Sequence, residues 1–195
     1  MHIPLFLSAV MGSVIVADEL KYRTINNSVA FGLSREQIYL SKIIVGIAAA
    51  AFCLAVTEAG FIGSGYLLLE NSGPEYTLSL LRGTAASIPA LIAGMVAVIS
   101  LYYVTGSRSA SIWSWLLIMV VVPMVVSLLG MRFELCERLT PWLLYTMLSY
   151  VTAGEEWLVF SWSTTAGFLR CLEAGIIGTA LFIALGIMAV RRKEF

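Results

Sequence analysis

Five stretches of this chain are nearly free of charge and close to the length of a bilayer crossing: residues 1–17, 43–69, 85–104, 112–130 and about 174–190. A helix needs about 20 apolar residues to cross the hydrocarbon, since each residue advances it by only about 1.5 Å. Backbone polar groups meet no water there, so such runs satisfy their hydrogen bonds internally, as helices do. Composition agrees: 59% of residues are hydrophobic and 12% charged, with a mean hydropathy of +0.91, where soluble domains carry about 25% charged residues. The expected fold is all-α, a polytopic membrane helix bundle forming one domain over residues 1–195. The first and last runs are short, and the second is long enough to tilt. Residues 1–17 lack a basic leading region and an A-x-A cleavage site, so they read as a retained span rather than a signal peptide.

Basic residues orient the bundle. Lys21, Arg23, Arg35, Lys42, Arg108, Arg191, Arg192 and Lys193 fall on one side of the spans, and Arg82, Arg132, Arg138 and Arg170 on the other. By the positive-inside rule the richer side is cytoplasmic. The N-terminus is then outside and the C-terminal tail inside, with the protein multi-pass in the cell membrane.

Residues 18–42, DELKYRTINNSVAFGLSREQIYLSK, form the only long segment whose polar and apolar residues alternate like a soluble helical hairpin. Asp18 and Glu19 suit a helix N-terminus, and Glu19 with Arg23 makes an i,i+4 pair. Gly32 fits the C′ position of a helix, where φ is positive, and Ser34 with Gln37 forms a capping box that starts a second helix. That helix is expected to continue through Tyr39 and Lys42 into the span beginning at Ile43. A turn so defined passes force into the span. An ordinary solvated loop is the competing reading, and Arg35 and Lys42 suit lipid phosphates as well as a protein partner.

These residues resemble a family. Glu19, Arg23, Thr24 and Ile25, followed by Gly32, Leu33, Ser34, Arg35, Ile38, Tyr39, Leu40, Ser41 and Lys42, look like the permease subunits of ABC-2 type transporters. The closing VRRKEF is similar to their basic tail. The resemblance implies that residues 18–42 are a cytoplasmic coupling helix docked on a separate ATP-binding subunit, and that a second permease chain, identical or different, completes the pathway. It implies export of a lipid, peptide or drug-like substrate. The family has six spans, and this chain opens where the second would be. The expectation is therefore that a first helix is either missing or supplied by a partner.

Within the second run Gly46, Ala50, Cys53, Thr57, Gly60 and Ser64 line one helix face, and Gly175, Gly178 and Gly186 repeat the device more weakly in the last. Small faces let membrane helices pack closely, so internal packing is expected ahead of a dimer seam or transport pathway. Glu58, beside Thr57 and Gly60, is the one ionisable residue deep in a span. Charging it in hydrocarbon costs about 2.5–3.5 kcal/mol, which marks it for a wet cavity, a partner or protonation. If the span ends near Gly63, Glu58 lies instead at the outer interface.

Residues 131–171 are too apolar for a plain loop and hold two segments too short to span, 139–150 and 157–168. They read as a re-entrant outer helix pair, opened by Pro141 and broken at Gly154, with Trp142, Tyr145, Tyr150, Trp157 and Trp162 at an interface. Cys136 and Cys171 bracket the segment, and a disulfide is one option.

Catalysis has little to stand on. His2 is the sole histidine, so neither an intramembrane Ser–His pair nor a zinc site is supported. Glu155 and Glu156 lack the arginine that an E-E-x-x-x-R protease motif requires, with Phe160 and Ser161 near its place. No P-loop is present, so ATP hydrolysis would belong to the partner. The chain is expected to be no enzyme, with no cofactor, no metal and no nucleic-acid partner. The competing class is a non-transporting membrane scaffold or sensor subunit.

Overall fold

The structure is a computed structural model describing residues 3–16, 32–68, 73–146, 150–153 and 157–192. Its long elements are helices: α1 (Ile3–Val16), α2 (Arg35–Leu68), α3 (Pro74–Thr105), α4 (Arg108–Gly130) and α6 (Thr165–Arg192). The short α5 (Glu134–Leu139) follows α4, and an antiparallel ribbon of β1 (Tyr150–Ala153) and β2 (Trp157–Phe160) precedes α6. Helices α2, α3, α4 and α6 are long and apolar enough to cross a membrane, and α1 is a shorter apolar helix. At 34 and 32 residues, α2 and α3 reach about 50 Å, well beyond a hydrocarbon core of about 30 Å.

Four contacts fix the directions. Arg191 of α6 pairs with Glu36 of α2 at 2.7 Å, and Arg108 of α4 donates to Ser13 of α1 at 3.4 Å. Tyr39 of α2 meets Tyr103 of α3 edge to face, and Gly106, at φ +72°, turns α3 into α4. The ends of α1, α3 and α6 and the starts of α2 and α4 thus share one end of the bundle, which holds Arg35, Lys42, Arg108, Arg191 and Arg192. Arg82 lies over the Phe168 ring at the other end, where α3 and α6 begin.

Helix α3 is the axis. Its most apolar stretch is 72% buried, against 17–22% for the other three long helices. Its sequence explains this, because Gly83, Ala86, Ser87, Ala90, Ala93, Gly94 and Ala97 are small and buried. The helices that cross it add glycines of their own. A Cβ on Gly12 of α1 would lie 3.0 Å from the Met95 carbonyl oxygen, and one on Gly175 of α6 would strike the ring and backbone of Pro89. The Trp115 indole of α4 donates to the Gly94 carbonyl at 2.9 Å.

Small residues do not keep α2 close along its whole length. Gly46 and Ala50 are buried, with a Gly46 Cβ falling 2.8 Å from Ile15 and 2.9 Å from the Met95 sulfur. Farther along, Cys53, Thr57, Gly60 and Ser64 are exposed, and nothing lies within 4 Å of a Cβ on Gly60. The half-buried strip there is Leu54, Glu58, Ile62 and Gly65. The tightest glycines are instead Gly175 and Gly186 of α6, the run whose pattern is weaker in sequence.

The outer segment differs from the expected re-entrant helix pair. Helix α5 has six residues, a 3₁₀ turn at Thr140–Trp142 holds Pro141, and β1 and β2 pair in the register Tyr150 with Phe160. Val151, Thr152, Trp157, Val159 and Phe160 favour extended backbone, which decides ribbon over helix. The Gly154 break lies outside the described residues. Cys136 and Cys171 are not joined by a disulfide.

Replacing Gly175 with valine is expected to destabilise the bundle by about 1–3 kcal/mol through overpacking against Pro89. The same change at exposed Gly60 is expected to stay within about 0.5 kcal/mol. Thermal unfolding of both purified variants in one detergent checks the contrast.

Candidate functional site

The start of α2 is built as its residues require. Gly32 has φ +88°, a left-handed conformation that favours glycine. Two residues on, the Ser34 backbone N–H donates to Gln37 Oε1 at 2.9 Å, and the Gln37 N–H donates to Ser34 Oγ at 3.2 Å. This reciprocal capping box satisfies donors that a helix N-terminus otherwise leaves open. From it α2 runs as one helix from Arg35 to Leu68, so no break separates the turn from the apolar stretch.

The first turns of α2 are anchored to two other helices. The fully buried Tyr39 hydroxyl lies 2.9 Å from Ser100 Oγ of α3 and donates to the Phe182 carbonyl of α6 at 3.4 Å. Ser100 Oγ lies 2.8 Å from the same carbonyl and 2.7 Å from the Val96 carbonyl of its own helix, and its single proton serves one acceptor at a time. Tyr39 packs where a side chain on Gly186 would otherwise stand. Buried hydroxyls need partners, and these share one carbonyl across three helices. The exposed Glu36–Arg191 pair adds a second, solvent-screened tie between α2 and α6.

Along its middle, from Ile47 to Glu58, α2 stands off α3 and leaves a cleft of about 400 Å³, and beyond it Tyr66 and Thr77 bring the two helices together again at 3.2 Å. The cleft walls are aliphatic apart from Glu58 and Thr84. The Thr84 hydroxyl of α3 donates to Glu58 Oε1, whereas Oε2 is buried without a hydrogen-bond partner. Thr57, which the sequence grouped with Glu58, bonds back to the Cys53 carbonyl of its own helix at 2.7 Å.

The residues singled out in the sequence thus fall into separate places. Gly32, Leu33, Ser34, Arg35, Tyr39 and Lys42 occupy the turn and base of α2, with Leu33 exposed and Tyr39 buried. Glu19, Arg23, Thr24 and Ile25 lie outside the described residues. Ser100, Thr84 and the Glu36–Arg191 pair went unnoticed in the sequence. The serines within the apolar run of α3, Ser87 and Ser100, were the available signal, since a buried hydroxyl has to be satisfied somewhere.

Removing the Ser34 hydroxyl with Ser34→Ala is expected to cost the first turn of α2 about 1 kcal/mol. Amide hydrogen exchange at residues 35–38 should then quicken by about fivefold, with the Ser100 region unaffected. Unchanged exchange at 35–38 would remove the cap from the account. No protein-family model, curated protein or solved structure matches this chain.

Proposed function

We propose that this chain is the membrane-spanning permease subunit of an ATP-driven transporter of the ABC-2 type, exporting a lipid, peptide or drug-like substrate. Residues 18–42 act as its coupling segment, docking on a separate ATP-binding subunit on the cytoplasmic side. A second permease chain completes the pathway. The end of the bundle where α2 starts and α6 ends faces the cytoplasm, in keeping with the positive-inside distribution of Lys and Arg along the sequence.

The observation that carries this reading is the capped turn at Gly32–Gln37 opening directly onto the unbroken 34-residue α2. Force on a defined turn enters the helix without being absorbed in a flexible joint. The Tyr39–Ser100–Phe182 contacts then serve as a fulcrum near the base, and the far half of α2, held to α3 only along one half-buried strip and through the Glu58–Thr84 and Tyr66–Thr77 hydrogen bonds, is the more loosely packed part. Closure of the ATP-binding subunits pushes the turn, tilts α2 about Tyr39 and changes which side of the bilayer the pathway opens toward.

The test is co-expression with a candidate ABC-type ATP-binding subunit from the same genome, followed by purification in lipid discs. Pairing Gly32→Val with Ser34→Ala should lower permease-stimulated ATPase activity by about tenfold, within the usual range of coupling energies, while gel-filtration behaviour is unchanged. Stimulation and export at wild-type rates in that variant would favour the scaffold or sensor reading instead.

A further inference from the structure

We propose that the cleft between α2 and α3 is a binding site for a single-chain amphiphile with a primary ammonium head, the head held by Glu58 and the chain by the aliphatic walls. The site requires neither export nor an ATP-binding partner, so it stands or falls separately from the permease reading.

The charge comes first. Glu58 lies about 24 Å along α2 from Lys42 at the helical rise of 1.5 Å per residue, in the outer third of a hydrocarbon core of about 30 Å. Among the residues lining the cleft it is the sole titratable one. The nearest cation on the opposing helix is Arg82, two residues before Thr84 and so about 200° around α3. Its guanidinium is turned over the Phe168 ring at 5.9 Å, on the α6 side. No described cation pairs with Glu58.

The hydrogen bonding then defines the missing group. Thr84 donates to Oε1, leaving Oε2 buried and without a hydrogen-bond partner. A carboxylate in this setting needs one group that is both a donor and a positive charge, and an ammonium N–H is both. A quaternary head has the charge without the donor, and an alcohol has the donor without the charge.

The shape supplies the rest. A cleft of about 400 Å³ falls within the range of small-molecule sites, which combine mostly apolar walls with a few polar groups. Leu54, Leu81, Ile88 and Ile92 give walls for a hydrocarbon chain. Because α2 stands away from α3 here, the cleft is open at its side, and a chain longer than the cleft extends into the surrounding lipid.

The full chain in phosphatidylcholine nanodiscs, photolabelled with a diazirine-bearing long-chain primary amine and mapped by peptide mass spectrometry, tests this. Labelling should concentrate on residues 47–58 and 81–92 and be competed by dodecylamine, but not by dodecanol or dodecyltrimethylammonium. Glu58→Gln, which keeps the shape, should reduce labelling by about tenfold, and Ala85→Trp, which fills the cleft, should abolish it. Equal labelling of Glu58→Gln, or competition by dodecanol as effective as by the amine, would overturn the proposal. Gel filtration of each variant confirms that the compared proteins are folded.

Discussion

Backbone against backbone is the contact on which this bundle rests. Gly12 of α1 meets α3 at the Met95 carbonyl, Gly175 of α6 meets it at Pro89, and Trp115 of α4 reaches the Gly94 carbonyl with its indole N–H. Lipid tails are as apolar as leucine, so burying leucine drives membrane helices together only weakly, and close packing with interhelical hydrogen bonds has to do it. Helix α3 meets that need through its run of Gly, Ala and Ser. Pro89 fits the same scheme: its missing N–H frees the carbonyl one turn earlier, and the lack of a side chain at Gly175 lets α6 lie directly on its ring.

Helix α2 follows the same rule over only half its length. Up to Ala50 it is gripped through Gly46, Ile43 and the Tyr39 hydroxyl, and beyond that point only one strip is half buried. The contrast lies in what faces α3. Near Met95 the small Gly46 lets the helices meet, whereas farther along Leu54 and Glu58 line the cleft between them. One helix thus combines a tightly packed base with a loosely packed upper part, without a proline or a break to divide them.

The sequence was most legible where local chemistry decides structure. Gly32, Ser34 and Gln37 read as a positive-φ glycine and a capping box because each role depends on residues only a few positions apart, and the described turn has both the φ and the box. The long apolar runs likewise emerge as helices, since hydropathy and length suffice. What depended on distant partners was harder to read. Cys53, Thr57, Gly60 and Ser64 form a regular small face, yet regularity within a helix does not say which neighbour it meets, and in this bundle they are exposed. Gly186 looked minor until Tyr39, far away in sequence, was placed against it. Tyr150 and residues 157–160 were read as parts of half-helices flanking a break, on apolar content alone, which does not distinguish strand from helix when the segment is short.

The π-helical stretch Leu117–Val121 in α4 has its own consequence. Pro123 follows at once, and the wider turn suits a ring that would crowd the carbonyl four residues earlier. A π turn holds one residue more than an α turn and so resets the phase of everything after it. The residues before it, Ser111 and Trp115, face α3, whereas those after it pack toward α5 and the 3₁₀ turn. Helix α4 therefore works as two rulers joined with an offset. A one-residue insertion or deletion in this stretch changes the offset alone: the Trp115 contact keeps its register, and the outer segment is presented at a new angle.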